Sequence, residues 1–196
     1  MPRNSTSYKE LKRRIDYLSA NYLPPSDPGG NYTRKQKDAI RSFLLLSHAE
    51  LEAYFEQICW NVAKRSLDRW LANHNYKSRV LLYLCVFTEQ TEKIKRANSS
   101  VDKIKEIVGH YFVQLKGNNG IKRDNILDML CPLGIDQNQI DNNWLNTIDN
   151  FGSNRGNIAH TSARTQTLTD PSVIRKDIEF IINELAPLDI LITRLS

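Results

Sequence analysis

Apolar residues recur three and four positions apart through most of this chain, and that spacing predicts an all-α protein. Tyr8, Leu11, Ile15, Leu18 and Tyr22 make a first helix over residues 7–22. The run Leu23-Pro24-Pro25-Ser26-Asp27-Pro28-Gly29-Gly30-Asn31 then breaks the pattern and reads as a linker. A long helix is predicted from about Thr33 to Leu67, with one stripe of Ile40, Phe43, Leu44, Ser47, Leu51, Tyr54, Phe55, Ile58 and Val62 suited to a central core position. Further helices are expected over 78–96, from the N-cap Ser100 to Lys116, over 121–130 and over 137–151. The last helix starts at Asp170 as N-cap with Pro171 behind it, and meets an internal proline at Pro187. The polar run from His160 to Asp170 reads as a loop. No second strand-like run exists to pair with Val80–Phe87, so the fold class is all-α, a helical bundle with an N-terminal accessory helix.

Composition narrows this little. At 196 residues, 40% hydrophobic and 25% charged, the chain suits an ordinary globular core. The boundary drawn from the pattern puts a basic helix and Pro/Gly linker at 1–32 and a helical domain at 33–196. The net charge of +5 is concentrated at the start, where residues 1–41 hold 9 Lys and Arg against 4 Asp and Glu. Such a segment suits either an RNA-binding arm or a plain solvated face. Cys59, Cys85 and Cys131 lack metal-site spacing and read as small buried hydrophobes, and Trp60, Trp70 and Trp144 as packing residues. Without a membrane-length apolar run or the apolar core of a signal peptide, the expectation is a cytoplasmic protein with no membrane partner. No P-loop, Gly-rich fingerprint or metal cluster stands out, so no cofactor is expected.

The chemistry-bearing stretch is Ser153-Asn154-Arg155-Gly156-Asn157-Ile158-Ala159-His160. Histidine titrates near neutrality and can take a proton from a ribose 2′-hydroxyl or return one to the leaving oxygen. Arginine is always charged, and its planar fork of donors suits a phosphate in its transition state. Asn157 is placed to orient either group. Spacing alone does not select this pair, because Arg69 and His74 share it and Arg41 lies seven positions before His48. Context does: His48 sits in the apolar helical run and reads as a surface or partly buried histidine, whereas Arg155 and His160 fall between two amphipathic segments. Gly156 and Asn154 suggest a helix starting near Asn157, with Arg155 free in the preceding turn.

An early Glu52-Ala53-Tyr54-Phe55, followed much later by Arg155 and by Ala159-His160, resembles the HEPN superfamily of all-helical proteins over roughly residues 35–195. The resemblance implies a HEPN-type bundle and a metal-independent endoribonuclease with Arg155, Asn157 and His160 as catalytic residues. It also implies an RNA substrate, a homodimer with two motifs facing one cleft, and a toxin or antiviral effector held by an antitoxin or other regulatory protein. The alternative is a non-catalytic HEPN-like module that binds RNA, a nucleotide or a partner protein. A third class is a purely structural helical dimer subunit. Two positions depart from the family pattern: Gly156 stands where a polar residue usually follows the arginine, and Ser162 stands where a subgroup carries a modifiable tyrosine.

Overall fold

The computed structural model describes residues 3–73, 75–89, 91–160 and 169–195, with the side chains of 156–160 outside that description. Its helices are α1 (Thr6–Tyr22), α2 (Arg34–Ala72), α3 (Arg79–Phe87), α4 (Glu92–Lys95), α5 (Ser100–Lys116), α6 (Arg123–Leu130), α7 (Asn142–His160) and α8 (Pro171–Thr193). Short 3₁₀ turns occupy Cys131–Leu133 and Gln137–Gln139. The described residues contain no strand, and none of their helices is long and apolar enough to cross a membrane.

The helices begin where hydroxyl and carboxyl side chains can satisfy free backbone N–H groups. Ser5 caps α1, Thr33 and Gln36 form a capping box on α2, Ser99 caps α5 and Asp170 caps α8. The predicted apolar stripe of α2 is buried along its length, and α1, α3, α5, α6, α7 and α8 all pack against it. Leu51 and Phe55, both fully buried, lie at its middle. Burying a side chain of that size contributes about 1.5–3 kcal/mol, so this stripe is the main reason the helices stay together.

α1 packs on α2 and α8, with Tyr8, Leu11, Ile15 and Leu18 in the same core. Its first turn is tied to α8 through Asp189, a fully buried carboxyl side chain. That side chain accepts from the Ser5 N–H (2.7 Å), the Ser5 hydroxyl, Asn4 Nδ2 (3.3 Å) and the Tyr54 hydroxyl of α2 (2.8 Å). The Pro/Gly linker is also fastened. Tyr32 and Ser26 donate to the Asp170 carboxylate, and Arg175 of α8 donates to Ser19 and to the Leu23 carbonyl. The bonds from Ser172, and then from Tyr32, hold the Asp170 carboxyl down at about 2. α8 continues through Pro187 as one element. Trp144 Nε1 and the Tyr8 hydroxyl donate to the Ile181 and Ile182 carbonyls one to two turns before that proline.

Several boundaries differ from those read off the pattern. The segment 78–96 is two helices, because Thr88 ends α3 and Thr91 caps α4. α6 starts at Arg123 rather than residue 121, since the Arg123 N–H is taken by Asp149 (3.0 Å). The 137–151 segment begins as a 3₁₀ turn, and α7 proper starts after Asp141, whose carboxylate accepts from the Trp144 N–H (2.8 Å).

The largest correction lies at the other end of α7. It does not stop at Phe151 and restart near Asn157; one helix runs from Asn142 to His160, and Arg155 is inside it. Glycine in a helix interior costs about 1 kcal/mol relative to alanine. That cost is small beside the burial of Trp144, Leu145, Ile148 and Phe151 on the same helix. Gly152 also has a positive role: a Cβ there would lie 3.2 Å from Lys122 Cγ and 3.4 Å from the Lys122 nitrogen, so its absence lets α7 meet the 121–122 backbone. The loop expected between His160 and Asp170 falls mostly on 161–168, outside the described residues.

Candidate active site

α2 and α7 run antiparallel: Phe55 meets Trp144 edge-on at 6.1 Å, and farther along Glu52 and His48 come within electrostatic reach of Arg155. This juxtaposition joins the early and late motifs, which are about a hundred residues apart in the chain. Arg155 is half-buried. The Glu52 carboxylate also accepts a backbone hydrogen bond from Gly120, in the turn between α5 and α6. Three segments therefore converge on one place, and Glu52 is the side chain common to them.

The turn is built to hold that contact. Gly120 has φ +155°, and a Cβ there would press on Asn125 Oδ1 at 3.2 Å, with His48 Nε2 3.9 Å away. Glycine avoids both the unfavourable conformation and the crowding. Asn118 Nδ2 donates to the Gly120 carbonyl (2.8 Å), and Asn125 Nδ2 donates to Asn118 Oδ1 (3.1 Å).

His48 corrects the sequence reading. It is buried, only 3% exposed, with Nδ1 3.8 Å from Glu52 Oε2 one turn later on α2. Burial first, and the Arg155 charge second, hold its imidazole down at about 4, so it stays neutral at physiological pH. Burial and then Glu56 push the Glu52 carboxyl above its ordinary value, while Arg155 and the Gly120 bond pull it back. The Ser47 hydroxyl beside them on α2 is buried and finds no partner among the described residues. The sequence reading left His48 out of this cluster. The one available signal was its i, i+4 spacing to Glu52 on the face of α2 that also carries the core stripe.

A pH prediction follows from His48. Its ordinary pKa is 6.5, and in the fold it is about 4. Between those values the unfolded chain binds a proton that the folded chain refuses, so stability falls as pH drops from about 6.5 to about 4 and levels off below. At 1.36 kcal/mol per unit, the loss is on the order of 3 kcal/mol. Urea unfolding midpoints at pH 7 and pH 4 should differ more for the wild type than for His48→Gln. An identical pH dependence in the two proteins would contradict the assignment.

The remaining sequence-predicted residues are distributed differently. Arg155, Asn157 and His160 all lie on α7, with Asn157 and His160 on its last turn as backbone only. By the helical period Arg155 and His160 are about 140° apart around the axis, whereas Asn157 and His160 share a face. His74, the alternative partner of Arg69, lies outside the described residues, and His110 is half-buried on α5. Trp144 is fully buried, Trp60 packs against Phe112 at 4.6 Å with the rings tilted by 50°, and Trp70 is half-buried against the core. Cys59 is buried, and Cys85 and Cys131 are half-buried free thiols. Among the described residues no three His, Cys, Asp or Glu side chains converge as metal ligands do.

A comparison with protein families matches residues 8–194 to the model described as RiboL-PSP-HEPN. No curated protein and no solved structure matches the chain. The match spans nearly the whole sequence, including α1, both motif-bearing helices and the turn between α5 and α6. An all-helical frame with the early glutamate and the late arginine drawn together, matched over that length, shows that the chain belongs to the RiboL-PSP-HEPN family, a nuclease- or RNA-related branch of the HEPN domains.

Proposed function

We propose that this protein is a metal-independent endoribonuclease that cleaves RNA through the ribose 2′-hydroxyl. The observation that carries the reading is the convergence of Arg155 with Glu52 and His48 where α2, α7 and the Gly120 turn meet. Glu52 and neutral His48 orient the guanidinium without either of them supplying a free catalytic proton. Arg155 then offers its planar fork to the phosphorane, where negative charge develops. His160 is the general base and acid, and Asn157 on the same face orients it or the ribose.

The balance of the reaction sets a further requirement. The 2′-oxygen attacks phosphorus and gives up its proton as the 5′-oxygen leaves and receives one, so a base and an acid are both needed. One His160 fills one of these roles per step. Since Arg155 and His160 diverge around one helix, two copies of the motif facing a shared cleft supply what one copy lacks. We therefore read the active form as a homodimer, in which His160 of one copy takes the 2′-proton and His160 of the second copy protonates the leaving 5′-oxygen. The products are a 2′,3′-cyclic phosphate and a 5′-hydroxyl. A toxin or antiviral role, restrained by an antitoxin or other regulatory protein, fits a family module whose chemistry needs no added cofactor.

The test is incubation of purified protein with mixed cellular RNA and, separately, with matched DNA in excess EDTA, followed by analysis of the ends. Cleavage of RNA alone, with cyclic phosphate ends, is the expected result. DNA cut at a comparable rate rejects the mechanism, because DNA lacks the attacking hydroxyl. RNA bound but left intact favours the second reading, a binding module. That reading draws on Gly156 standing where a polar residue usually follows the arginine.

A further inference from the structure

α8 carries a second stripe beside the one that faces the core. Val173, Asp177, Phe180, Glu184, Pro187 and Leu191 are spaced alternately four and three apart. At about 100° per residue they stay within about 80° of one another over about 27 Å, so they share one side of the helix throughout. Val173 and Phe180 are large apolar side chains left 44% and 36% exposed. Pro187 is exposed as well, and Leu191 is half-buried. Toward its C-terminal end the stripe becomes one wall of a groove of about 320 Å³, whose other wall is Gln139, Ile140, Asp141 and Trp144.

The charge on this side is opposite to that of the whole chain, which is +5. Residues 177–193 hold Asp177, Glu179, Glu184 and Asp189 with no Lys or Arg, and residues 136–154 hold Asp136, Asp141 and Asp149 with none. Asp189 belongs to the buried network at the start of α1. Asp177 and Glu184 stand on the stripe itself, and neither makes an ion pair or side-chain hydrogen bond among the described residues. Asp177 is half-buried, and burial raises its carboxyl above the ordinary value with no cation to offset it. Lys176 and Arg194 are exposed on the side of α8 away from the groove and pair with neither acid. Apolar side chains left in water, interleaved with acids that lack a counter-charge, form a surface matched to an apolar and cationic partner.

We propose that this stripe and groove dock a basic amphipathic helix of a partner protein, with apolar residues over Val173, Phe180 and Leu191 and lysine or arginine over Asp177 and Glu184. Other occupants fit these charges poorly. RNA brings further negative charge to both carboxylates. A second copy laid antiparallel on the stripe sets Glu184 against Phe180 and Asp177 against Pro187, burying both acids without a cation. The docking surface uses none of the residues of the candidate active site, so it stands independently of the ribonuclease reading.

The probe is a fluorescein-labelled helical peptide of Leu, Ala and Lys, about 18 residues long to match the stripe. Its leucines are alternately three and four apart, with lysines flanking them, and a second peptide carries Glu at every Lys. Fluorescence anisotropy follows binding to the wild type, Asp177→Asn, Glu184→Gln, the double variant, Phe180→Ala and Glu10→Gln, the last altering an exposed acid on α1. The Lys peptide should bind the wild type and the Glu peptide should not. Asp177→Asn and Glu184→Gln should each weaken the Lys peptide by about two- to five-fold, and Phe180→Ala by about fivefold or more. Glu10→Gln should leave it unchanged. Equal binding by the wild type and the double variant overturns the proposal, as does a wild type that ignores the Lys peptide or binds the Glu peptide as well. Sedimentation and binding of uncleavable 2′-O-methyl RNA are followed on the same proteins. A wild-type dimer split by Phe180→Ala gives the stripe to a second copy, and RNA binding lost in Phe180→Ala gives it to RNA; either result overturns the assignment.

Discussion

Replacing Arg155 by alanine should lower RNA cleavage by about 10²–10³, the usual cost of removing one donor aimed at developing transition-state charge. Replacing His160 by alanine should cost about 10²–10⁴, the range for loss of a positioned acid or base. The arginine result is the more informative, since Arg155 is the proposed catalytic residue whose surroundings the fold defines. Its charge acts on Glu52 and on a neutral His48, and Glu52 is held in turn by the Gly120 N–H. Arg155→Lys keeps the charge but loses the planar fork, and should recover only a small part of the rate. The fold should survive these changes, because Arg155 is half-buried and adds no apolar surface to the core. Binding of uncleavable RNA should fall only a few-fold, which separates loss of catalysis from loss of affinity. Wild-type rates from purified Arg155→Ala would remove this residue from the mechanism, whatever the fate of His160.

The largest loss of stability is expected at Asp189, where the start of α1 and Tyr54 of α2 meet α8. Asp189→Ala should destabilise the protein by about 3–5 kcal/mol, because it strips the partner from the buried Tyr54 donor and from the half-buried donors of Asn4 and Ser5 at once. The Ser5 N–H and hydroxyl, Asn4 and the Tyr54 phenol all point at this carboxyl group. Burial and the neighbouring Asp189 push the Tyr54 phenol far above its ordinary pKa, so it remains a donor at any practical pH. For a chain of this length the change amounts to roughly 6–20 °C in Tm. Asp189→Asn keeps the volume but turns an amide toward donors, and should fall between the wild type and alanine. The first turn of α1 should loosen in both variants, visible as faster amide exchange near Ser5 and Tyr8 than in α5. A midpoint within a degree of the wild type for Asp189→Ala would show that this network contributes nothing net.

Both predictions concern residues that the sequence presents unequally. Arg155 stood out in the sequence by its context between two amphipathic segments, since the Arg–His spacing itself recurs at Arg69 and His74. Asp189 did not, since a lone polar residue among Leu185, Leu188 and Ile192 looks like an interruption of the stripe. Its meaning lies in α1, more than 180 residues earlier. His48 is a similar case. On α2 it reads as one more residue near the core stripe, and only the approach of α7 and of Gly120 brings it within reach of Arg155.

What the sequence determined by itself were features whose cause lies within a turn or two of chain. Apolar spacing set α1, α2, α5 and α8, and hydroxyl or carboxyl caps set most of their starts, because a helix end is satisfied by side chains within three residues. The order of the Glu52 and Arg155 motifs was sufficient to indicate the family. The continuity of α7 was decided elsewhere. Asn154 and Gly156 argue locally for a break, and the burial of Trp144, Ile148 and Phe151 with the close approach of Lys122 at Gly152 outweighs them. The same holds for the site. Burial, charge and hydrogen bonding at Glu52, His48 and Arg155 are supplied by three segments that meet only when the core closes. Local propensity is worth tenths of a kcal/mol to about 1 kcal/mol per residue, whereas each large buried side chain contributes about 1.5–3, so where the two conflict the tertiary packing decides.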